Sequence, residues 1–188
     1  MSTPNIKKPG NVNTTISVDT KSVEKRVSPA IENKLNKQIE IEFGASQLYR
    51  AAAVWCDYNG LFNLSKFLDK HAGEEMGHMD KVKEYLLDRN CLPVIPAVPQ
   101  PITQFTDILD VIRKAYEHEK FVTSTYVSLA DDTISSKDFV TFTFIQWYLK
   151  EQIEEEVIFA NLIDRIEYMT KHGLGQIEID SDLDEVIG

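Results

Sequence analysis

The chain has 188 residues, 43% of them hydrophobic and 27% charged, which suits one domain with a sizeable core. Its net charge of −10 argues against nucleic acid, whose phosphates it would repel, and favours cations as partners. Cys56 and Cys91 are too far apart for a metal knuckle, no apolar run is long enough to span a membrane, and no secretory stretch opens the chain, so a soluble cytoplasmic protein is expected.

Residues 1–28 are rich in Lys, Asn, Thr and Ser and have no helical period, so they are expected to form a disordered extension ahead of a domain spanning 29–188. Ser28 followed by Pro29 reads as an N-cap with proline at the first helical position, and predicts a helix to about Tyr58, where Asn59-Gly60 breaks it. Its core face would carry Ile31, Leu35, Gln38, Glu42, Ala45, Tyr49, Ala52 and Cys56. A second helix, from Asn63 to Asn90, places Leu64, Leu68, His71, Glu75, His78, Val82 and Tyr85 on one face. Pro93, Pro96, Pro99 and Pro101 make Cys91–Phe105 an extended link. The third helix runs from about Thr106 to Thr133, with Ile108, Ile112, Ala115, Glu119, Val122, Tyr126 and Leu129 inward. Ser135 and Asp138 resemble a capping box that opens a fourth helix, which ends at His172 before Gly173. Its core face reads Phe144, Tyr148, Glu151, Glu155, Ile158 and Leu162.

Short connections make the first and last helix pairs antiparallel hairpins. The fifteen residues of the proline-rich link reach roughly 45 Å when extended, enough to run the roughly 42 Å of the second helix. The fold expected is therefore an all-α four-helix bundle of two antiparallel hairpins joined by a long crossover.

Within that bundle Glu42, Glu75, Glu119 and, on the fourth helix, Glu151 and Glu155 fall near the middle of four different helices. A single Glu at a core-facing position usually snorkels to solvent. Several at one level repel, and each costs several kcal/mol to bury alone. No Lys or Arg occupies these positions, which leaves a metal as the compensating charge, and Glu combined with His78 suits iron.

The segments Asn36-Lys37-Gln38-Ile39-Glu40-Ile41-Glu42, His71-Ala72-Gly73-Glu74-Glu75-Met76-Gly77-His78-Met79, His118-Glu119 and Gln146-Trp147-Tyr148-Leu149-Lys150-Glu151-Gln152-Ile153-Glu154-Glu155-Glu156 resemble those of bacterial-type non-haem ferritins over residues 29 to 180. The resemblance implies a first iron on Glu42, Glu75 and His78, with Glu75 bridging to a second iron held by Glu119 and assisted by Gln152 and Glu155. It implies a third iron site at Glu74, Glu151 and Glu154 that shares Glu155. Residues at the places of Tyr49 and Trp147 are implicated in electron donation in that family, although aromatic packing accounts for them equally well. A symmetric di-iron site has a second Glu-x-x-His on the fourth helix, whereas here Glu151-x-x-Glu154 and Gln152-x-x-Glu155 stand there. The second site, lacking a nitrogen ligand, is expected to pass iron onward rather than retain it.

The expected activity is that of a ferroxidase, which oxidises Fe(II) with dioxygen or peroxide and deposits ferric oxyhydroxide inside a hollow shell of twenty-four subunits, as the resemblance implies. Met76 sits where a haem ligand would be sought, yet methionine in a bundle is more often filler, and no haem is expected. Residues 177–187 would form a short fifth helix capped by Ser181 and Asp184. Asp131, Asp132 and Asp138 cluster at the last turn between helices, where a solvated loop is the default and an iron pore the sharper reading. His71 reads as a hydrogen-bonded core residue, His118 faces away by phase, and His172 suits a helix carboxyl end. The alternatives are a rubrerythrin-like peroxidase, whose paired CxxC module has no counterpart here, and a catalytically silent helical shell subunit.

Overall fold

Five helices make up the described residues, 24–187, of the computed structural model: α1 (Pro29–Tyr58), α2 (Phe62–Asp88), α3 (Ile108–Ser135), α4 (Phe139–Lys171) and α5 (Gln176–Ile187). The expected extension 1–28 lies outside the described residues as far as residue 23. Of its last five residues, Val27 is buried and the Arg26 N–H donates to the Arg89 carbonyl at 3.0 Å, against the end of α2.

Several helix boundaries have a local cause. The Ser28 hydroxyl accepts the Ile31 N–H at 3.3 Å and Pro29 follows, so α1 starts where its cap and fixed φ require. It stops at Asn59-Gly60, where Gly60 has φ +78 and the Leu61 N–H turns back to the Cys56 carbonyl at 2.9 Å. Gly173, at φ +86, ends α4 in the same way, with the Leu174 N–H on the Met169 carbonyl at 3.2 Å. The fourth helix opens differently from the expected capping box. Ser135 closes α3, and Asp138 alone caps α4, accepting the Thr141 N–H at 3.0 Å and the Thr141 hydroxyl at 2.5 Å.

α1 pairs mainly with α2, and α3 with α4, through three-residue connections, which gives the two hairpins. The long link between them lies along α1: the Val94 N–H donates to Asn36 near one end of α1 at 2.7 Å, and Phe105 packs edge-on against Trp55 near the other. α3 therefore begins beside the carboxyl end of α1, as a crossover requires.

The core falls into two apolar clusters. One, with Tyr49, Leu64, Leu68, Ile112, Phe159 and Leu162, lies towards the α1–α2 turn; the other, with Leu35, Ile39, Val82, Tyr126, Ile145 and Tyr148, lies towards the α3–α4 turn. Between them the buried side chains are polar. On α4 the inward residues are Tyr148, Gln152, Glu155, Phe159 and Leu162, while Ile158 is exposed and Glu151 only half-buried. The predicted face was thus rotated by one residue at those two positions. The buried positions from Ile145 to Met169 keep a strict alternation of three and four residues, and positions three and four beyond an inward residue flank the same face, so spacing alone does not choose between Glu151 and Gln152 or between Ile158 and Phe159.

α5 begins one residue earlier than expected. Its first turn is closed by Glu178, which accepts the Gly175 N–H at 2.7 Å, and Ser181 lies mid-helix donating to the Ile177 carbonyl at 3.0 Å. Ser181 is therefore no cap, and the Asp184 side chain lies outside what is described. Ile179 and Leu183 are buried in the first cluster. Asp131 and Asp132 belong to α3 rather than to a loop; Asp132 pairs with Lys34, and Asp138 is occupied as a helix cap.

Candidate metal centre

The polar layer between the clusters gathers residues from four helices. Glu42 of α1, Glu75 and His78 of α2, Glu119 of α3, and Gln152 and Glu155 of α4 are all at most 6% exposed. Each sits mid-helix, flanked along its own helix by residues of the apolar clusters, so the helices bring them together without any special loop.

Ligand atoms of Glu42, Glu75 and His78 lie within 4.8 Å of one another. The spacing of three residues in α2 puts His78 Nδ1 at 3.2 Å from Glu75 Oε2, and 4.0 Å separates it from Glu42 Oε2 across the helix interface. Glu42 Oε2 is buried with no hydrogen-bond partner, while its other oxygen accepts the Tyr126 hydroxyl. Glu119 accepts the Tyr49 hydroxyl at one oxygen and the Gln152 amide at the other, the latter at 2.9 Å. Glu155 lies 3.3 Å from His71 Nε2, and the two atoms are buried without a hydrogen bond.

Among the described residues no Lys or Arg pairs with Glu42, Glu75, Glu119 or Glu155; their basic neighbours are His71 and His78. The cost of that arrangement appears in their acidities. Burial first, and the negative charge of neighbouring carboxylates second, push Glu42 and Glu75 well above the usual carboxylate range. Burial pushes Glu119 up to about 7, against the hydrogen bonds from Tyr49 and Gln152 that favour its ionised form. Buried acids that resist ionisation for want of a nearby positive charge would ionise on binding a cation, so this layer fits a cation site. The donors are oxygens with one or two imidazoles, a set that fits iron or zinc far better than thiolate-seeking ions. Neither cysteine competes: burial pushes the Cys56 thiol up to about 12 and raises that of Cys91.

Not every expected site residue joins this layer. Glu74 is half-buried, with its carboxylate 3.7 Å from Lys70 and 3.6 Å from His71 Nδ1. Glu151 is half-buried, and Glu154 is exposed, 3.7 Å from Lys150. The described ligand atoms that cluster with Glu74 and Glu155 are those of His71, not those of Glu151 or Glu154. Tyr49 is fully buried, stacked on Phe159 at 5.8 Å. Trp147 lies edge-on to His78 at 5.3 Å with Lys81 over its other side, and is 37% exposed.

The structure also adds residues that the sequence pattern had left as plain core. Tyr126 bonds Glu42, and the Tyr148 hydroxyl donates to the His78 carbonyl at 2.9 Å. Tyr126 shares the inward face of α3 with Glu119, two turns away, and that shared phase was its one visible signal. His118, expected to face away, is half-buried beside Phe121, and burial alone lowers it to about 4, so it is neutral and outside the layer.

A family model described as a ferritin-like domain matches residues 32–169. A probable bacterial non-heme ferritin-like protein of Haemophilus influenzae is 40% identical over 157 residues, 84% of this chain and 95% of that protein. A bacterial non-heme ferritin of Escherichia coli is 36% identical over the same shares of the two chains. Among solved structures, an open pore ferritin from the archaeon Archaeoglobus fulgidus superposes with a TM-score of 0.80 at 28% identity, covering 84% of this chain and 98% of that one. Chlorobium tepidum ferritin gives 0.74 at 32% identity, covering 75% and 86%.

Proposed function

The chain belongs to the ferritin-like domain family, and on that premise we propose that it is an iron-storage protein that oxidises Fe(II) at the bundle centre and keeps the ferric product inside an oligomeric shell. The observation that carries this reading is the layer of Glu42, Glu75, Glu119 and Glu155, buried at one depth with no Lys or Arg partner among the described residues. Burying even one unpaired carboxylate costs several kcal/mol. A bound cation would offset that cost at four carboxylates at once.

Fe(II) is the substrate. Glu42, Glu75 and His78 bind the first ion, and Glu75 bridges to a second held by Glu119 with Gln152 and Glu155. Glu42, Glu75 and Glu119, whose burial raises their pKa values, ionise as the ions bind, so protons leave as iron arrives. A carboxylate bridging a pair of ions would hold them roughly 3.5–4 Å apart, a separation that suits one oxidant molecule taking an electron from each. Dioxygen is the proposed oxidant, with peroxide as the alternative. Gln152 offers an amide where a second histidine would hold iron more firmly, so the oxidised ion leaves readily, towards Glu74, Glu151 and Glu154. Tyr49, hydrogen-bonded to Glu119, and Trp147, packed on His78, are positioned to supply electrons beyond those of the iron. The shell is proposed to contain twenty-four subunits and to work in the cytoplasm.

Aerobic addition of Fe(II), followed by near-ultraviolet absorbance, tests the activity. Wild-type protein should oxidise iron at least tenfold faster than Glu75→Ala or His78→Ala, and equal rates in all three would sink the assignment. Size-exclusion chromatography tests storage independently: elution as a monomer or dimer at working concentration would rule out a shell.

A further inference from the structure

His71 is held like a metal ligand, although its sequence position marks it as a core residue. Its ring is 3% exposed and wedged against Phe67 at 4.1 Å, Phe159 at 5.4 Å and Tyr49 at 6.0 Å. Nδ1 lies 3.1 Å from the Phe67 carbonyl oxygen. A carbonyl can only accept, so Nδ1 carries a proton and Nε2 is the nitrogen left to take an ion or a second proton; burial opposes that second proton, but the neighbouring Glu155 and Glu74 carboxylates favour it and raise the ring above its ordinary value. An imidazole anchored through one nitrogen to a backbone carbonyl, with the other nitrogen free, is the usual second partner arrangement of a metal-bound histidine.

The free nitrogen has a counterpart. Nε2 faces Glu155 Oε2 at 3.3 Å, both atoms are buried, and neither has a hydrogen-bond partner. Two donors each ~2.1 Å from one ion stand roughly 3.0 Å apart in octahedral and roughly 3.4 Å apart in tetrahedral coordination. The observed gap matches two ligands of one cation as well as it matches a charged imidazole–carboxylate pair. Glu74 approaches the same ring from its Nδ1 side at 3.6 Å, and the three residues offer ligand atoms within 4.8 Å of one another.

We infer that His71, Glu74 and Glu155 form a nitrogen-containing site for a divalent cation of borderline softness, distinct from the Glu42–Glu75–His78 group. That the physiological ion is Fe(II) rests on the proposed function; the site itself rests on the geometry. Its position gives it a role. Glu155 is buried and interacts electrostatically with Glu75 and Glu119, whereas the Glu74 side chain is 41% exposed. The group thus leads from the bundle centre to the surface, and an ion passing outward exchanges Glu155 oxygen for imidazole nitrogen and then for Glu74. Glu154, exposed and 3.7 Å from Lys150, is not one of the three ligands and would receive an ion only after Glu74.

Zn(II), redox-inert, serves as the probe. Crystals of the full-length oligomer soaked in Zn(II) should show an anomalous peak bonded at about 2.1 Å to His71 Nε2 and shared with Glu155. The same peak should persist in Glu42→Ala/His78→Ala and vanish in His71→Gln, which should also bind one fewer Zn(II) per subunit in a calorimetric titration. A wild-type protein with no ion bonded to Nε2 overturns the inference without recourse to any variant, and so does a peak that survives unchanged in His71→Gln. Failure of the proposed function would look different: zinc absent from Glu42, Glu75 and His78 while the His71 peak remains.

Discussion

The carboxylate of Asp180, in α5, accepts the N–H of Leu64 at 2.8 Å and that of Asn63 at 3.1 Å, and so caps the amino end of α2 from another helix. α2 needs this help because its own N-cap position holds Leu61, whose side chain has no acceptor. The Asn63 side chain answers by donating to the Asp180 carbonyl at 3.1 Å. Asp180 is buried, and Ile179 and Leu183 beside it enter the core, which ties the last helix to the helix that carries Glu75 and His78.

Asp180→Ala should therefore cost about 1–2 kcal/mol in unfolding free energy, the range for losing a helix cap and leaving its donors unpaired. Asp180→Asn, which retains an acceptor oxygen, should lose less than half of that. Chemical denaturation ranks the three proteins, and amide exchange should quicken at Asn63 and Leu64 in the alanine variant. Unchanged exchange at those two positions would show that the cap contributes nothing.

The metal-free protein should lose stability as pH rises. Glu119 titrates at an ordinary 4.5 unfolded and at about 7 folded, and Glu42 and Glu75 are shifted in the same direction by burial and by their neighbours. Between those values the folded chain binds more protons than the unfolded one, so unfolding free energy falls with pH across that window. The penalty is absent below pH 4.5, complete above about 7, and on the order of 3 kcal/mol for Glu119. Calorimetric melting in chelator should give a falling temperature from pH 5 to 8, and saturating Zn(II) should reverse the slope because ionised carboxylates bind it more tightly. A chelated protein equally stable at both ends would contradict the origin assigned to these shifts.

What could be read without coordinates was whatever depends on local chemistry or helical phase. Ser28-Pro29, Asn59-Gly60 and Gly173 mark their boundaries by φ preference and capping, and Glu42, Glu75 and Glu119 fall inward because each continues an apolar stripe. On α4 phase left a choice between Glu151 and Gln152, three and four residues beyond Tyr148, and Gln152 is the one turned inward. Contacts between helices left no trace in the pattern. Nothing near Leu61 announces that Asp180, more than a hundred residues away, will cap α2. The facing of His71 Nε2 and Glu155 likewise depends on how two helices rotate against each other, which periodicity does not resolve to one ångström.

Gln152→Glu should tighten metal binding and weaken the empty fold. The amide now donates to Glu119 at 2.9 Å and favours its ionised form. A carboxylate there removes the donor and adds a buried charge beside Glu119, which should destabilise the metal-free protein by roughly 1–3 kcal/mol. With an ion present the added oxygen becomes a ligand, and Zn(II) affinity at the bundle centre should rise about tenfold, or ~1.4 kcal/mol. Competition with a chromophoric chelator measures the affinity. Weaker binding by the variant would show that the Gln152 amide, not a carboxylate, is what this position requires.

Tyr49→Phe isolates the other donor on Glu119. The buried phenol stacks on Phe159 and donates to the carboxylate, holding it lower than burial alone would set it. Phenylalanine keeps the stack and removes the donor, so the fold should lose only about 1 kcal/mol while Glu119 ionises at higher pH. Initial Fe(II) oxidation should then fall several-fold at pH 6.5 and recover towards wild type by pH 8, because a more alkaline solution restores the carboxylate that the hydroxyl had supported. A deficit of equal size at both pH values would instead assign the phenol a direct part in electron transfer, and no deficit at either would leave it a packing residue.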